Sequence, residues 1–422
     1  MKRHHYLTAP AMALTLSAAW AAPGDSGPTL DWSGYGTAAY TMADTGQAEF
    51  ARFNQASGVQ RTPRAGVDSN LGIQGTLAVN DWLSFTGQGL ARRNAVDRWG
   101  GEVYWAYAKA NLSREWSVYA GRVAAPVYMI SDYRQVGFAS TMIRPPQELY
   151  SQVVFDNIDG ASLSYRTMAG DANLTLQLAA GNATAKLALQ GAAPGSHQSI
   201  RAHAFKALNL QGEQGPLTLR LGYAHTSVSL EGDPQLAALT GALTEAGAGY
   251  GMPQLSRLAA ALAVRGKSAS FKSAGLVLDL EPLLVQAEFG QRKTASSIPD
   301  STAWYVLGGY RVRQLMPYAA FASLKSRNSV SNAVPAACPD GMPDSCTPAL
   351  QALSDAVSAG LAGSLVEQTT ASVGVRWNFM QSAACKVQLD RVRPRRGGLL
   401  LNSAPGMHGA VTVFAAGVDF VF

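Results

Sequence analysis

The sequence predicts an all-β fold, a closed transmembrane antiparallel β-barrel of about sixteen strands, from three observations. Apolar and polar residues alternate with a period of two along most of the chain, the pattern of strands rather than helices. The connections between alternating stretches are by turns short and long. The chain also stops in mid-strand: in AVTVFAAGVDFVF, Phe414, Ala416, Val418, Phe420 and Phe422 share one face, with Asp419 on the other.

Composition fits an apolar exterior. Of 422 residues, 47% are hydrophobic and only 15% charged, against about 25% charged in typical soluble domains. Mean hydropathy is close to zero, which excludes a bundle of membrane helices. Residues 1–21 read as a cleaved signal peptide: Lys2 and Arg3 open a basic region, a short apolar run follows, and Ala19-Trp20-Ala21 is a small-x-small site. Its loss takes the formal charge from +6 to +4. After residue 22 there is no apolar run of about 18 residues, so no membrane helix is expected in the mature unit, 22–422.

The strands follow in order. Alternation predicts them near 30–41, 68–79, 82–93, 101–112, 115–122, 151–166, 171–181, 199–211, 215–229, 266–281, 283–293, 302–313, 315–326, 364–379, 383–393 and 409–422. In LGIQGTLAV, Leu71, Ile73, Leu77 and Val79 oppose Gly72, Gln74 and Thr76. PLTLRLGY sets Leu217, Leu219, Leu221 and Tyr223 against Thr218 and Arg220. Short turns such as ND (80–81), SR (113–114) and EP (281–282) separate longer segments at 42–67, 123–150, 230–265 and 327–363, among others. A soluble sandwich would alternate equally well. Short turns at one end and long loops at the other favour the membrane barrel, whose closure leaves no sheet edge in hydrocarbon. Trp32, Trp82, Trp116, Trp304, Trp377 and Phe422 fall near strand ends, as interfacial aromatics should.

Ala/Leu-rich stretches in loops 230–265 and 327–363 have helical spacing and predict short helices over the outer mouth. Cys338 and Cys346 bracket a turn-rich loop and are expected to pair after export, leaving Cys385 alone. No cysteine–histidine spacing suits a metal, and neither a metal nor a cofactor is expected.

These residues resemble the Gram-negative outer-membrane porin superfamily, above all the general, sixteen-stranded porins, over nearly the whole mature chain. WSVYAGR (116–122) is similar to the porin segment that leads into the inward-folded third loop. Phe422, with Phe420 and Val418, looks like the signal read by the barrel assembly machinery. SDYRQVGF through IRPPQELY (131–150) takes the place of the constriction loop but lacks the acidic Pro-Glu-Phe-Gly-Gly tip, a divergent variant. The resemblance implies an outer membrane setting, lipopolysaccharide contact and a homotrimer.

Charges in a wet lumen set selectivity. Polar-face parity predicts Arg92, Arg166, Arg201, Arg220, Arg292, Arg376, Arg311, Lys325 and Lys386 on the lumen wall, against Glu288, Asp390 and Asp419. The loop segment adds Arg122, Arg134 and Arg144, with Asp132 and Glu148 as their expected partners. The basic surplus predicts a passive diffusion channel for small hydrophilic solutes that favours anions. A channel specific for one solute is the neighbouring reading.

Other motifs fail. GDSGP (24–28) resembles a serine-protease nucleophile segment, yet its nearby histidines, His4 and His5, leave with the signal peptide. RVRPRRGG (391–398) falls in a loop of an exported chain, so no nucleic acid partner is expected. His203 and His225 lie on strands with no nucleophile partner evident in the sequence, which argues against an enzyme.

Overall fold

The computed structural model describes residues 27–96, 98–189, 195–404, 406–407 and 409–422; the predicted signal peptide lies outside them. Sixteen antiparallel strands form one closed barrel in which each pairs with its sequence neighbours and the last with the first. They are β1 (Thr29–Ala43), β2 (Asn70–Ala78), β3 (Leu83–Arg93), β4 (Trp99–Asn111), β5 (Trp116–Ala124), β6 (Asn157–Ala169), β7 (Ala172–Ala188) and β8 (His197–Gln214). The second half holds β9 (Leu217–Glu231), β10 (Lys267–Leu280), β11 (Leu283–Thr294), β12 (Asp300–Tyr310), β13 (Leu315–Arg327), β14 (Glu367–Trp377), β15 (Ala383–Arg396) and β16 (Val411–Val421).

Closure depends on the final residues. Phe420 stands opposite Gly36 and Asp419 opposite Thr37. The Phe422 amide donates to the Gly34 carbonyl at 3.0 Å, and the Gly34 amide to the Phe422 carbonyl at 2.9 Å. A side chain at Gly34 or Gly36 would collide with the Phe422 or Phe420 ring, so these glycines admit the two phenylalanines. Every backbone edge is thereby paired, as hydrocarbon demands.

The outer face is apolar and the inner face mixed. Leu71, Ile73, Leu219, Leu221, Val373, Val375, Phe414 and Val418 point away from the barrel. Outward aromatics gather at two levels: Trp32, Trp82, Trp116, Trp377 and Phe422 near the short turns, and Tyr223, Phe289, Trp304 and Phe321 toward the long loops.

Three long loops depart from simple connections. The loop 125–156 folds into the lumen and holds a helical turn, α1 (Gln147–Tyr150). The sequence placed the next strand from residue 151; it begins at Asn157, because the carbonyl of Gln152 is instead taken by Arg292 and Asp156 by Arg92 and Arg134. Loop 232–266 forms α2 (Pro234–Gly249) and α3 (Pro253–Leu262), and loop 328–366 forms α4 (Cys346–Gly363). Asp233 caps α2, its side chain accepting from the Leu236 amide at 3.0 Å, with Pro234 at the first helical position. These helices bury Leu243, Leu255, Leu258, Leu350 and Val357 against one another. A disulfide joins Cys338 to Cys346 at the start of α4. Cys385 is unpaired.

Candidate functional site: the lumen and its inward-folded loop

The loop 125–156 crosses the lumen and is held on several sides. On β11, the Glu288 carboxylate accepts from the Met129 amide at 2.8 Å and from the Tyr150 hydroxyl at 2.5 Å. On β10, the Ser273 hydroxyl donates to the Val127 carbonyl at 2.8 Å. On β12, the Ser301 hydroxyl donates to the Gln152 side chain at 2.8 Å.

The opposite wall grips the middle of the loop. The Lys386 ammonium, on β15, donates to the carbonyls of Gly137 (2.7 Å), Ser140 (2.6 Å) and Met142 (3.0 Å). It also pairs with Asp419 of β16 at 2.8 Å, and Asp419 accepts from Thr37 at 2.5 Å. Arg144 reaches Asp68 and Asp390, each at 3.0 Å, with all three side chains no more than 5% exposed. A buried charge is tolerable only when paired and hydrogen-bonded like this.

Glu148, on α1, accepts from Gln368 at 2.7 Å and from Thr370. Burial pushes its carboxyl above the ordinary range. The sequence paired Glu148 with an arginine; its partners are two neutral side chains of β14 instead. Asp132 carries no ion pair among the described residues, but its charge faces Arg220 and Arg166.

Arginines cluster where the loop re-enters the wall. Asp156 holds Arg92 at 3.0 Å and Arg134 at 2.8 Å, and Arg92 also meets Glu102 at 2.8 Å. The Arg134 guanidinium lies 5.4 Å from the Tyr128 ring and 5.6 Å from that of Tyr150, distances at which a cation is attracted to an aromatic face. Arg52, from the loop 44–69, adds its charge to Arg92, Arg134 and Arg144. Elsewhere on the inner wall, Arg220 donates to Asn209 at 2.5 Å and Arg292 to the carbonyls of Gln152 and Pro299. Arg376 donates to the Ser140 carbonyl and stacks on Phe138 at 5.0 Å. Arg166 and Lys109 interact electrostatically on the inner wall. Arg311 pairs with Asp279 near the short turns.

Three predicted lumen charges face outward. Arg122 stands opposite Asp159 and binds it at 2.7 Å, on the face that carries Ala120 and Ala161. The alternation of Trp116, Val118 and Ala120 runs unbroken into Arg122, so local parity overrides its expected place at the constriction. Arg201 lies between buried Ile200 and Ala202 and pairs outside with Glu231 at 3.2 Å. The register shifts between His203 and Lys206, and this one-residue bulge swaps the faces of the strand beyond it. Lys325 is outward because inward Ala322 and Leu324 pack under the loop. His203 and His225 also face outward, and His225 lies 3.1 Å from the Ser268 hydroxyl, a partner that the sequence did not reveal.

Sequence reasoning assigned no role to Asp68, Asp156, Lys109 or Arg52. It placed Lys386, Asp390 and Glu288 on the correct face without giving them partners. Polarity in mid-strand was the available signal for those three. Their contacts with the loop join positions 138 to 249 residues apart.

No family model matches the chain, and no curated protein matches it. Solved structures share its fold. The anion-selective porin from Comamonas acidovorans superposes with a TM-score of 0.51 at 13% identity, over 94% of this chain and 100% of that one. OmpF of Salmonella typhi, solved in complex with daunomycin, gives 0.51 at 13%, over 94% and 98%. The trimer form of OmpT, an outer membrane protein of Vibrio cholerae, gives 0.50 at 11%, over 94% and 100%. The chain therefore has the sixteen-stranded barrel fold of Gram-negative outer-membrane porins.

Proposed function

We propose that the protein is a porin of the Gram-negative outer membrane, a passive channel for small hydrophilic solutes with a preference for anions. The observation that carries this reading is the inward-folded loop in a closed barrel, with Arg52, Arg92, Arg134, Arg166 and Lys109 in or beside the lumen. Asp156, Glu102 and Asp132 offset only part of that charge. A positive field in a narrow, low-dielectric passage raises local anion concentration and the barrier to cations. The apolar outer belt suits a bilayer.

Homotrimerisation fits the outer wall of β1 and β3–β5. On β3–β5, Gly87, Gly89, Ala106, Ala108 and Ala120 form a small-residued patch of that wall, and the Arg122–Asp159 pair lies beside it. Small residues and an ion pair suit a protein neighbour better than acyl chains. Lipopolysaccharide and the barrel assembly machinery, which would read Phe422, are the further partners of this reading.

The test is a planar bilayer with a salt gradient. Discrete conductance steps and an anion-selective reversal potential are expected. A cation-selective potential overturns the charge assignment, and no channels at all overturn the function. A second reading, a channel specific for one solute, is favoured by the loop's attachment on opposite walls; block by a single solute at micromolar concentration would select it.

A further inference from the structure

Two cations of the inner wall, Lys109 on β4 and Arg166 on β6, differ from most others in the lumen. They interact electrostatically with each other, and neither forms an ion pair among the described residues. Their neighbours are engaged. Asp156 holds Arg92 and Arg134, Asp68 and Asp390 hold Arg144, and Asn209 accepts from Arg220. Arg292 and Arg376 donate to carbonyls of the loop. The loop acid Asp132 faces Arg220 first and Arg166 second.

Aromatic rings stand beside this pair. Lys109 lies opposite Tyr119 of β5, with its ammonium 5.7 Å from the centre of that ring. Tyr107, two residues along β4 toward the long loops, meets Tyr119 edge to face, with centroids 5.6 Å apart. Both rings are half-buried, at the margin of the apolar core under the loop. The rung that holds Tyr107 is otherwise bare: Gly121, Gly160 and Gly181 follow one another across β5, β6 and β7. A Cβ at these positions would strike the carbonyl oxygens of Ala106, Ala180 and Asp159 respectively, so the strip admits no side chain. Two rings, a flat strip of backbone and two cations therefore border one stretch of the lumen.

We infer that this stretch is a docking site for small aromatic carboxylates, single rings that carry one anionic group. The ring would lie against Tyr107, Tyr119 and the glycine strip, and the carboxylate would meet Lys109 and Arg166. Aromatic pairs attract edge to face or offset, beyond the area they bury. Like charges held near one another repel, and an anion between them relieves that cost. Apolar surface with a few convergent polar groups is the usual make-up of a small-molecule site. A neutral sugar would use the rings and leave the cations unmatched, and an aliphatic acid would use the cations and leave the rings idle. The inference rests on the channel reading above and names a solute class for it.

The test titrates single-channel chloride conductance of the full protein in a planar bilayer with three probes. Benzoate carries ring and charge, cyclohexanecarboxylate carries the charge on a saturated ring, and benzamide carries the aromatic ring without charge. Benzoate should reduce the conductance at the lowest concentration. An aromatic contact and a unit charge in wet surroundings are each worth roughly five-fold in binding, which sets the expected advantage over each of the other probes. Tyr119→Leu should weaken block by benzoate roughly five-fold and leave it no better than cyclohexanecarboxylate. Lys109→Gln should weaken benzoate by a similar factor and leave block by benzamide as it was. Should either variant fail to fold, the three probes on the wild-type channel decide. Equal block by benzoate and cyclohexanecarboxylate, equal block by benzoate and benzamide, or no block by benzoate overturns the proposal. So does benzoate block that is unchanged in both variants. Wild-type channels that conduct chloride yet give any of these results defeat this inference alone; protein that forms no channels defeats the channel reading instead.

Discussion

Lys386 and Asp419 face each other across β15 and β16, with the ammonium 2.8 Å from the carboxylate and both side chains no more than 2% exposed. The same ammonium caps three carbonyls of the loop, so one side chain joins the barrel's closing strands to its inward-folded segment. Replacing Lys386 by Met should leave Asp419 buried and unpaired, at a cost of about 3–5 kcal/mol. The loop segment 137–142 should then move. Expected outcomes are a lower unfolding midpoint and noisier, larger single-channel currents. The double variant Lys386→Met/Asp419→Leu should recover most of the stability but not the quiet current. Identical noise in wild type and Lys386→Met would remove the tether from the mechanism.

Facing makes a second, sharper test. Lys109→Gln and Arg166→Gln remove inner-wall charges and should move the reversal potential toward cations. A unit charge acting over a few ångströms in wet surroundings is worth about 1 kcal/mol, roughly five-fold in permeability ratio. Arg122→Gln and Arg201→Gln remove outer-wall charges and should leave selectivity unchanged. A large selectivity change in the outer pair, with none in the inner, would reverse the assignment.

The disulfide closes a short loop with a sequence separation of 8 and fixes the start of α4. Reduction, or Cys338→Ser, should release about 2–3 kcal/mol of local stability. Cleavage by an added protease should rise within 328–345. The barrel's own unfolding midpoint should stay put, since its ladders do not pass through the helices. A fall in that midpoint on reduction would show that the helices brace the strands.

At the other terminus, the Phe422 ring occupies the space over Gly34. Gly34→Val places a branched side chain against that ring, so heat-resistant folded protein should decrease on semi-native gels. Deleting Phe422 should lower insertion as well, by removing its backbone pair with Gly34. If both variants insert like wild type, the closing strand tolerates the loss of its last residue.

Much of the architecture was legible before folding. Alternation located all sixteen strands, because side chains on a pleated strand take opposite faces whatever lies around them. Turn residues and loop lengths gave the two unlike ends, and the Ala/Leu spacing gave helices in two loops. The site was less legible. Arg92, Arg134, Arg220, Arg292 and Arg376 occupy the lumen or its loop, while Arg122 and Arg201 do not. Glu148 is bound by neutral side chains, and Asp68 and Asp156, the acids that hold Arg144 and Arg134, had no role assigned from sequence.

The division has a physical cause. The period-two pattern, the number of staves and the helices of two loops each depend on residues near one another in the chain, so the sequence alone carries them. Which charges face solute, what pins the loop and which strand meets β1 rest on contacts between positions far apart in the chain. A one-residue bulge between His203 and Lys206 reverses Arg201. The grip of Lys386 on Gly137 spans 249 residues, a distance that no local pattern reports.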